Sequence, residues 1–283
     1  MPSYYTPNSE LVLELCNGRH LTVKVLKVFT PFSRSQVSLV TRVTEVLHEL
    51  ALPSIFIIKT FDPRFYVTRW DRKGADRWPW SQQAEAEAEA LRRQGTPKQW
   101  QYDLPDKGDL VGWEQYCYQR MDYDFSIETR AYDRLQHFQG DHIPSFYGEA
   151  ALVTTDVKRA IVPRTLLIQY IPNALPIHKI NKDLITPTLA KSFLTLIKSF
   201  HACGVVHNDM HQGNILVAGS SKNDQTHAVV IDFGEACLRE EGETEEEWAA
   251  TCGDTKCMLR QLQEYLGTDD IPSFIGEPID VYA

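Results

Sequence analysis

Residues 207–214 read HNDMHQGN, and residues 232–234 read DFG. The first segment lies between an amphipathic stretch over 187–201 and the apolar run 215–217, and the second directly follows the apolar run 228–231. Each short motif alone occurs by chance, whereas HxDxxxxN followed by DFG, each at the end of a regular element, is specific. The sequence therefore predicts two polar loops carried by a helix and by strands.

Helical periodicity flanks these loops on the N-terminal side. The amphipathic pattern over 187–201 is followed by a stop signal at Gly204. An earlier pattern begins near Asp124 and is followed by a stop signal at Gly140. The earlier stripe consists of Ile127, Ala131, Leu135 and Phe138, and the later one of Leu189, Phe193, Leu196, Ile197 and Phe200. Residues three and four apart share one helix face, so both segments are predicted to be amphipathic helices.

Three β-type runs open the chain. Residues 21–30 and 36–43 alternate apolar and polar side chains, whereas residues 54–61 are almost wholly apolar. Alternation indicates a half-buried strand, and a continuous apolar run indicates a strand buried on both faces. With residues 31–35 as a hairpin connection, we expect an antiparallel sheet whose third strand is the most buried.

Composition excludes several classes of protein. The 283 residues are 43% hydrophobic and carry a net charge of −9, which provides a core and disfavours binding to nucleic acid or to an anionic membrane. The six cysteines are scattered, and neither a signal-like apolar core nor a run of ~20 apolar residues is present. We expect an intracellular, cytoplasmic or nuclear protein, without a membrane or nucleic-acid partner, that is a monomer.

Residues 66–115 differ from their surroundings. Arginines and tryptophans cluster over 69–80, and residues 84–90 alternate alanine and glutamate. Aromatic residues among basic ones can bind single-stranded nucleic acid. The favoured interpretation is an insertion whose tryptophans pack on the neighbouring sheet, followed by a solvated helix with glutamates on all sides.

Because of the two loop motifs, the sequence resembles the protein-kinase-like superfamily. In detail it resembles the divergent kinase-like proteins common in fungi. The resemblance spans roughly residues 21–266 and implies an α+β, two-lobed protein-kinase-like fold. Its small antiparallel-sheet N-lobe would cover 11–171, with the insertion 66–115. Its C-lobe, over 172–283, would be mostly helical and curtailed, because few residues follow DFG and no APE motif is present.

The resemblance assigns roles for phosphoryl transfer from ATP, in which positioning and cations over the phosphates provide most of the catalysis. Asp209 would orient the acceptor hydroxyl and receive its proton. Asn214 and Asp232 would provide the hard oxygen ligands that Mg²⁺ prefers. His207 would fix the loop and take no part in catalysis.

Upstream residues complete the implied set. Lys59, late in the third strand, would bind the α- and β-phosphates, and Glu128 would form an ion pair with it. Helix glutamates are more often solvated, which is the competing interpretation of Glu128. Gln169, Tyr170 and Ile171 would present backbone groups to the adenine edge.

The sequence departs from the superfamily pattern at the segment that would cover the nucleotide. Residues 30–35 read TPFSRS and contain no glycine, so the backbone cannot approach phosphates as a glycine-rich loop does. The side chains of Ser33, Arg34 and Ser35 are predicted to replace those contacts.

The catalytic loop also departs from the protein-kinase form. Asn208 replaces the usual arginine, and His211 replaces the lysine of Ser/Thr kinases, as in the HGDxHxxN loop of aminoglycoside- and choline-type phosphotransferases. The leading hypothesis is an ATP- and Mg²⁺-dependent enzyme with a hydroxyl acceptor, with a slight preference for protein Ser/Thr over a small molecule. The alternative is a different class of protein, a nucleotide-binding pseudokinase scaffold that does not catalyse phosphoryl transfer.

Overall fold

The computed structural model describes residues 5–43, 52–70, 77–95, 104–153, 159–219, 226–276 and 278–279. The chain forms two compact units of mixed α/β structure with antiparallel sheets. Unit 1 comprises Met1–Ser126 and Phe146–Tyr170, and unit 2 comprises Ile127–Ser145 and Ile171–Ala283.

Six strands of unit 1 close into an antiparallel barrel in the order β1-β2-β3-β4-β6-β5. The strands are β1 (Glu10–Leu15), β2 (His20–Phe29), β3 (Gln36–Arg42), β4 (Ile55–Phe61), β5 (Phe146–Val153) and β6 (Arg164–Ile168). The three predicted strands are confirmed as β2, β3 and β4, and β4 is buried at six consecutive positions, Phe56 to Phe61. The antiparallel sheet expected from them is part of a closed barrel.

Strand β1 closes the barrel by pairing with both β2 and β5. Its sequence ELVLEL alternates, and Leu11, Leu13 and Leu15 point to the interior, where each is at most 7% exposed. Closure removes the free sheet edges that would otherwise carry unpaired backbone groups. The interior is packed with apolar side chains rather than open.

Two helices follow the barrel's fourth strand, α1 (Gln82–Arg93) and α2 (Leu110–Arg134). Ser81 caps α1 by accepting from the backbone N–H of Ala84, which satisfies one donor of its first turn. Helix α2 begins well before Asp124, so the predicted start of this helix was wrong. Its last residues, from Ile127, belong to unit 2.

The insertion is packed into unit 1. Trp78 stacks on Trp113 of α2 with ring centroids 4.3 Å apart, so it docks on a helix rather than on the predicted sheet. The expectation that α1 carries solvated glutamates was wrong for Glu85, which is 2% exposed. Its carboxylate accepts from Arg159 at 2.7 Å and from Trp80 Nε1 at 2.8 Å, because a buried charge needs partners.

The described residues of unit 2 form four further α-helices and five short strands. Helix α3 (Pro187–Ala202) confirms the predicted pattern, with Thr186 as its N-cap and the predicted apolar stripe buried. The others are α4 (Glu245–Thr251), α5 (Asp254–Leu266) and α6 (Ile271–Ile275), with β7 (Leu175–Pro176), β8 (Val205–Val206), β9 (Ile215–Gly219), β10 (Thr226–Val230) and β11 (Cys237–Leu238). Strand β9 pairs with β7 and β10, and β8 pairs with β11. In the described part of the chain, no helix combines the length and apolar character needed to cross a bilayer.

Candidate active site

The loop 207–214 connects β8 to β9 and is held by a carboxylate from another element. Asp254, the first residue of α5 and 3% exposed, accepts from the backbone N–H groups of His207 and Asn208, the latter at 3.0 Å. A buried carboxylate that accepts two backbone bonds fixes the start of the loop.

Sequence reasoning missed Asp254 and its neighbour His201. His201, in the last turn of α3, is also buried and places Nε2 3.7 Å from Asp254 Oδ2. The one signal in the sequence was an acidic residue at the start of the segment that forms α5, and an acidic residue there usually indicates favourable interaction with the helix dipole.

His207 joins the two loops. Its ring is fully buried, its Nε2 lies 2.9 Å from the carbonyl oxygen of Ile231, and its centroid is 4.9 Å from that of Phe233. Phe233, the central residue of DFG, also packs edge-on against Phe200 and Tyr132. These contacts support the scaffold role that the resemblance implies for His207.

Two residues of these loops adopt left-handed backbone conformations. Asn208 has φ 60° and Asp232 has φ 71°. Asparagine and aspartate tolerate this region better than other non-glycine residues. The conformation is a physical reason for asparagine at position 208, where an arginine would be strained.

Asn214 is bound to Asp209. The amide Nδ2 of Asn214, a 6% exposed residue, donates to the Asp209 carbonyl oxygen at 3.0 Å and to Oδ2 at 3.3 Å. The side chain of Asp209 is 44% exposed, so one face of its carboxylate is open to a reacting group. The backbone N–H of Ile231 donates to the carbonyl oxygen of Asn214 at 3.1 Å, which ties the second loop to the first.

The donor set fits Mg²⁺. The amide nitrogen of Asn214 donates to Asp209, which leaves Oδ1 as the oxygen donor of the predicted pair, and Asp232 would add a carboxylate. Among the described residues no group of three or more His, Cys, Asp or Glu side chains can hold a metal ion. Mg²⁺ does not need one, since it retains water and phosphate ligands and uses one or two protein carboxylates.

Glu128 and Asp232 both act on Tyr132. Burial raises the pKa of Tyr132 well above its usual value, and the negative charges of Glu128 and then Asp232 raise it further. Glu128 is fully buried in α2, so the solvated interpretation of this glutamate was wrong. Both carboxylates therefore lie within electrostatic range of the Tyr132 hydroxyl.

His211 lies beside Asp209. Its Nδ1 accepts from the backbone N–H of Gly213 at 2.9 Å, which in a neutral ring assigns the proton to Nε2. That nitrogen is 3.7 Å from Asp209 Oδ2. The ring is therefore positioned to support the carboxylate or a group bound to it.

The remaining predicted residues lie as follows. Lys59, in β4, is 4% exposed, with its Nζ 5.7 Å from the centre of the Phe61 ring. Gln169, Tyr170 and Ile171 follow β6 directly and are half-buried.

The β2–β3 loop places its three predicted residues differently. Ser33 is exposed and Ser35 is buried, at 6% exposure. The guanidinium of Arg34 donates from Nη1 to Asp124 of α2, at 3.0 Å to Oδ1 and 3.2 Å to Oδ2. The cationic side chain is thus engaged by a carboxylate of unit 1.

Comparison with known proteins adds one finding to this geometry. No curated protein matches the chain. Residues 178–251, which include both loops, match the model of the lipopolysaccharide kinase (Kdo/WaaP) family, a member of the protein-kinase-like superfamily. Over these residues the chain is therefore similar to a kinase-type phosphotransferase.

Proposed function

We propose that the protein is an ATP-dependent phosphotransferase that transfers the γ-phosphate to a hydroxyl group. The observation that carries this proposal is Asp209, an open carboxylate bound by Asn214 on a loop whose backbone is held by Asp254. A fixed carboxylate with an open face suits a group that must orient a hydroxyl and accept its proton.

In the proposed reaction the acceptor oxygen attacks the γ-phosphorus in line with the leaving oxygen of ADP. The new P–O bond forms as the bond to the β,γ-bridging oxygen breaks, and the acceptor proton passes to a carboxylate oxygen of Asp209. His211, with Nε2 3.7 Å from that carboxylate, would help to orient it.

The other residues would bind the nucleotide. As the resemblance implies, Lys59 would bind the α- and β-phosphates, and Glu128 would form an ion pair with it. Asn214 and Asp232 would hold Mg²⁺, which supplies positive charge to the phosphate oxygens.

The nucleotide's two ends would be bound by segments of other strands. The backbone of Gln169, Tyr170 and Ile171 would contact the adenine, and the β2–β3 loop, with Ser33, Arg34 and Ser35, would cover the phosphates. We also propose that units 1 and 2 correspond to the N- and C-lobes of a two-lobed protein-kinase-like fold.

A small-molecule or saccharide hydroxyl is the acceptor that we favour. The family matched over 178–251 is named for a lipopolysaccharide kinase, and the sequence lacks the lysine typical of Ser/Thr kinases at position 211. This preference replaces the expectation of a protein Ser/Thr acceptor, which was based on the sequence alone.

Binding of a fluorescent ATP analogue with and without Mg²⁺ tests the nucleotide part of the proposal. We expect Mg²⁺-dependent binding that Asp232→Asn weakens at least tenfold and that Asp209→Asn retains. The exposed Asp269 provides a matched control, and Asp269→Asn is expected to bind like the wild type. Absence of Mg²⁺-dependent binding to the wild-type protein would refute the proposal.

A further inference from the structure

The β2–β3 loop is fastened to unit 1 at three successive residues. The ring of Phe32 packs edge-on against Tyr5 and Phe65, with centroid distances of 5.9 and 5.8 Å. The carbonyl oxygen of Ser33 accepts from the backbone N–H of Val67 at 2.8 Å. Both contacts hold the loop against the segment that follows β4.

Arg34 provides the third attachment. Its Nη1 donates to both oxygens of Asp124, a residue with no exposed surface, while Arg34 keeps 28% of its side chain exposed. Arg120, one turn earlier on α2, places Nη2 3.8 Å from the same carboxylate. A buried carboxylate needs such partners, and removal of one of them leaves buried charge less well compensated, so the pair ties the loop to α2.

The same helix carries Glu128, four residues after Asp124. Residues at this spacing lie on one face of a helix, one turn apart. The Arg34–Asp124 pair therefore connects the glycine-free loop to the helix that presents the proposed partner of Lys59.

From these contacts we infer that Arg34 is a positioning residue: through Asp124 it fixes the β2–β3 loop on α2 as a preformed cover for the nucleotide. This inference rests on the proposed function and replaces a direct contact of Arg34 with phosphate. A glycine-rich loop achieves close approach by backbone freedom. Here the loop is ordered in advance, which lowers the entropy lost when the nucleotide binds.

A double-mutant cycle separates positioning from direct phosphate binding. The variants are Arg34→Ala, Asp124→Asn and the double mutant, with KM for ATP, kcat and amide hydrogen exchange of residues 32–35 as readouts. We expect each single variant to raise KM about tenfold, with kcat changed less, because loop order must be regained on binding. The double mutant should be no worse than either single one, and exchange of the loop amides should accelerate in all three.

Two further variants control the cycle. Arg34→Lys keeps the charge and should recover most of the lost affinity. Arg93→Ala removes a surface arginine that pairs with Glu89 at 2.8 Å, with 74% of its side chain exposed, and should leave KM and loop exchange unchanged.

A rise in KM for Arg34→Ala together with an unchanged or lower KM for Asp124→Asn would overturn the inference, because it would indicate that Arg34 binds phosphate directly. Unchanged loop exchange in both variants would also overturn it. Failure of the proposed function has a different signature, since the wild-type protein would then not bind Mg²⁺-ATP while the exchange measurement would still report the loop attachment.

Discussion

At the level of single residues, the two polar loops depend on side chains that tolerate a left-handed backbone. Asn208, at φ 60°, also donates from Nδ2 to the carbonyl oxygen of Glu235 at 3.3 Å. The sequence HNDMHQGN predicted a loop. The φ angle of one residue depends on the turn around it, so the left-handed conformation of Asn208 was not predictable from the sequence.

Replacing Asn208 by alanine or by glycine separates backbone strain from the lost side-chain bond. Both variants lose the amide, but alanine at φ 60° carries a steric cost of roughly 1–2 kcal/mol that glycine avoids. We expect Asn208→Ala to be less stable than Asn208→Gly by about that amount in urea unfolding. Equal stability of the two variants would contradict the left-handed conformation.

At the level of elements, helix α5 supports the loop through its first residue. In Asp254→Asn, an amide NH2 replaces one of the two carboxylate oxygens that accept from the backbone N–H groups. An NH2 group cannot accept, so one of the two N–H groups loses its partner. A buried donor without a partner costs about 1–3 kcal/mol, so we expect Asp254→Asn to lose that much stability and to lower kcat. Urea unfolding and turnover measure the two effects, with Asp269→Asn as the control. Unchanged stability and turnover would show that Asp254 does not support the loop.

Helix α1 is attached to unit 1 through Glu85. Burial raises the pKa of this carboxyl, but bonds from Arg159, Trp80 and the backbone of Ala160 outweigh burial and hold the pKa below its ordinary value of 4.5. Because the pKa is lower in the folded state, the stabilisation is present above pH 4.5 and is lost as the pH falls through the folded-state pKa.

Glu85→Gln should therefore be less stable than the wild type by roughly 2–3 kcal/mol near neutral pH, since charged hydrogen bonds are lost. The difference in unfolding free energy should shrink in acid. Urea unfolding at neutral pH and below the ordinary glutamate pKa measures it. Glu87→Gln, an exposed change on the same helix, is the control, and a difference independent of pH would contradict the assigned ionisation.

The elements were predictable to different extents for physical reasons. Helix α3 and strands β2 to β4 carry clear periodicity that agrees with their burial. The early start of α2 was not predictable, because residues 110–123 mix aromatic, charged and apolar side chains and do not form one apolar stripe. The sequence likewise gave no indication that Arg34 meets Asp124, which is 90 residues away.

At the level of the whole chain, barrel closure depends on a strand that was not predicted. Strand β1 is six residues long and borders a polar terminus, so its alternation is a weak signal without its two partners. The site residues on the two loops could be named from the motifs. The carboxylate that holds the first loop could not be named, because Asp254 is 47 and 46 positions from the two residues that it binds.

Leu13→Ala tests the role of β1. Leu13 is fully buried in the barrel, and removal of such a side chain costs about 2–5 kcal/mol. We expect a loss of that size in urea unfolding, whereas Leu26→Ala, at a 41% exposed leucine of β2, should change stability by less than about 0.5 kcal/mol. A small effect of Leu13→Ala would show that β1 does not form part of the core.

Transfer of labelled γ-phosphate tests the central claim most directly. The wild-type protein is incubated with labelled ATP and Mg²⁺ and, in parallel, with a metabolite and saccharide extract or a peptide pool, and Asp209→Asn and Asp269→Asn are treated in the same way. The account predicts a labelled product from the saccharide or metabolite fraction that Asp209→Asn abolishes and Asp269→Asn retains. A protein that binds ATP but labels no acceptor, or a product that forms equally well with Asp209→Asn, would contradict it.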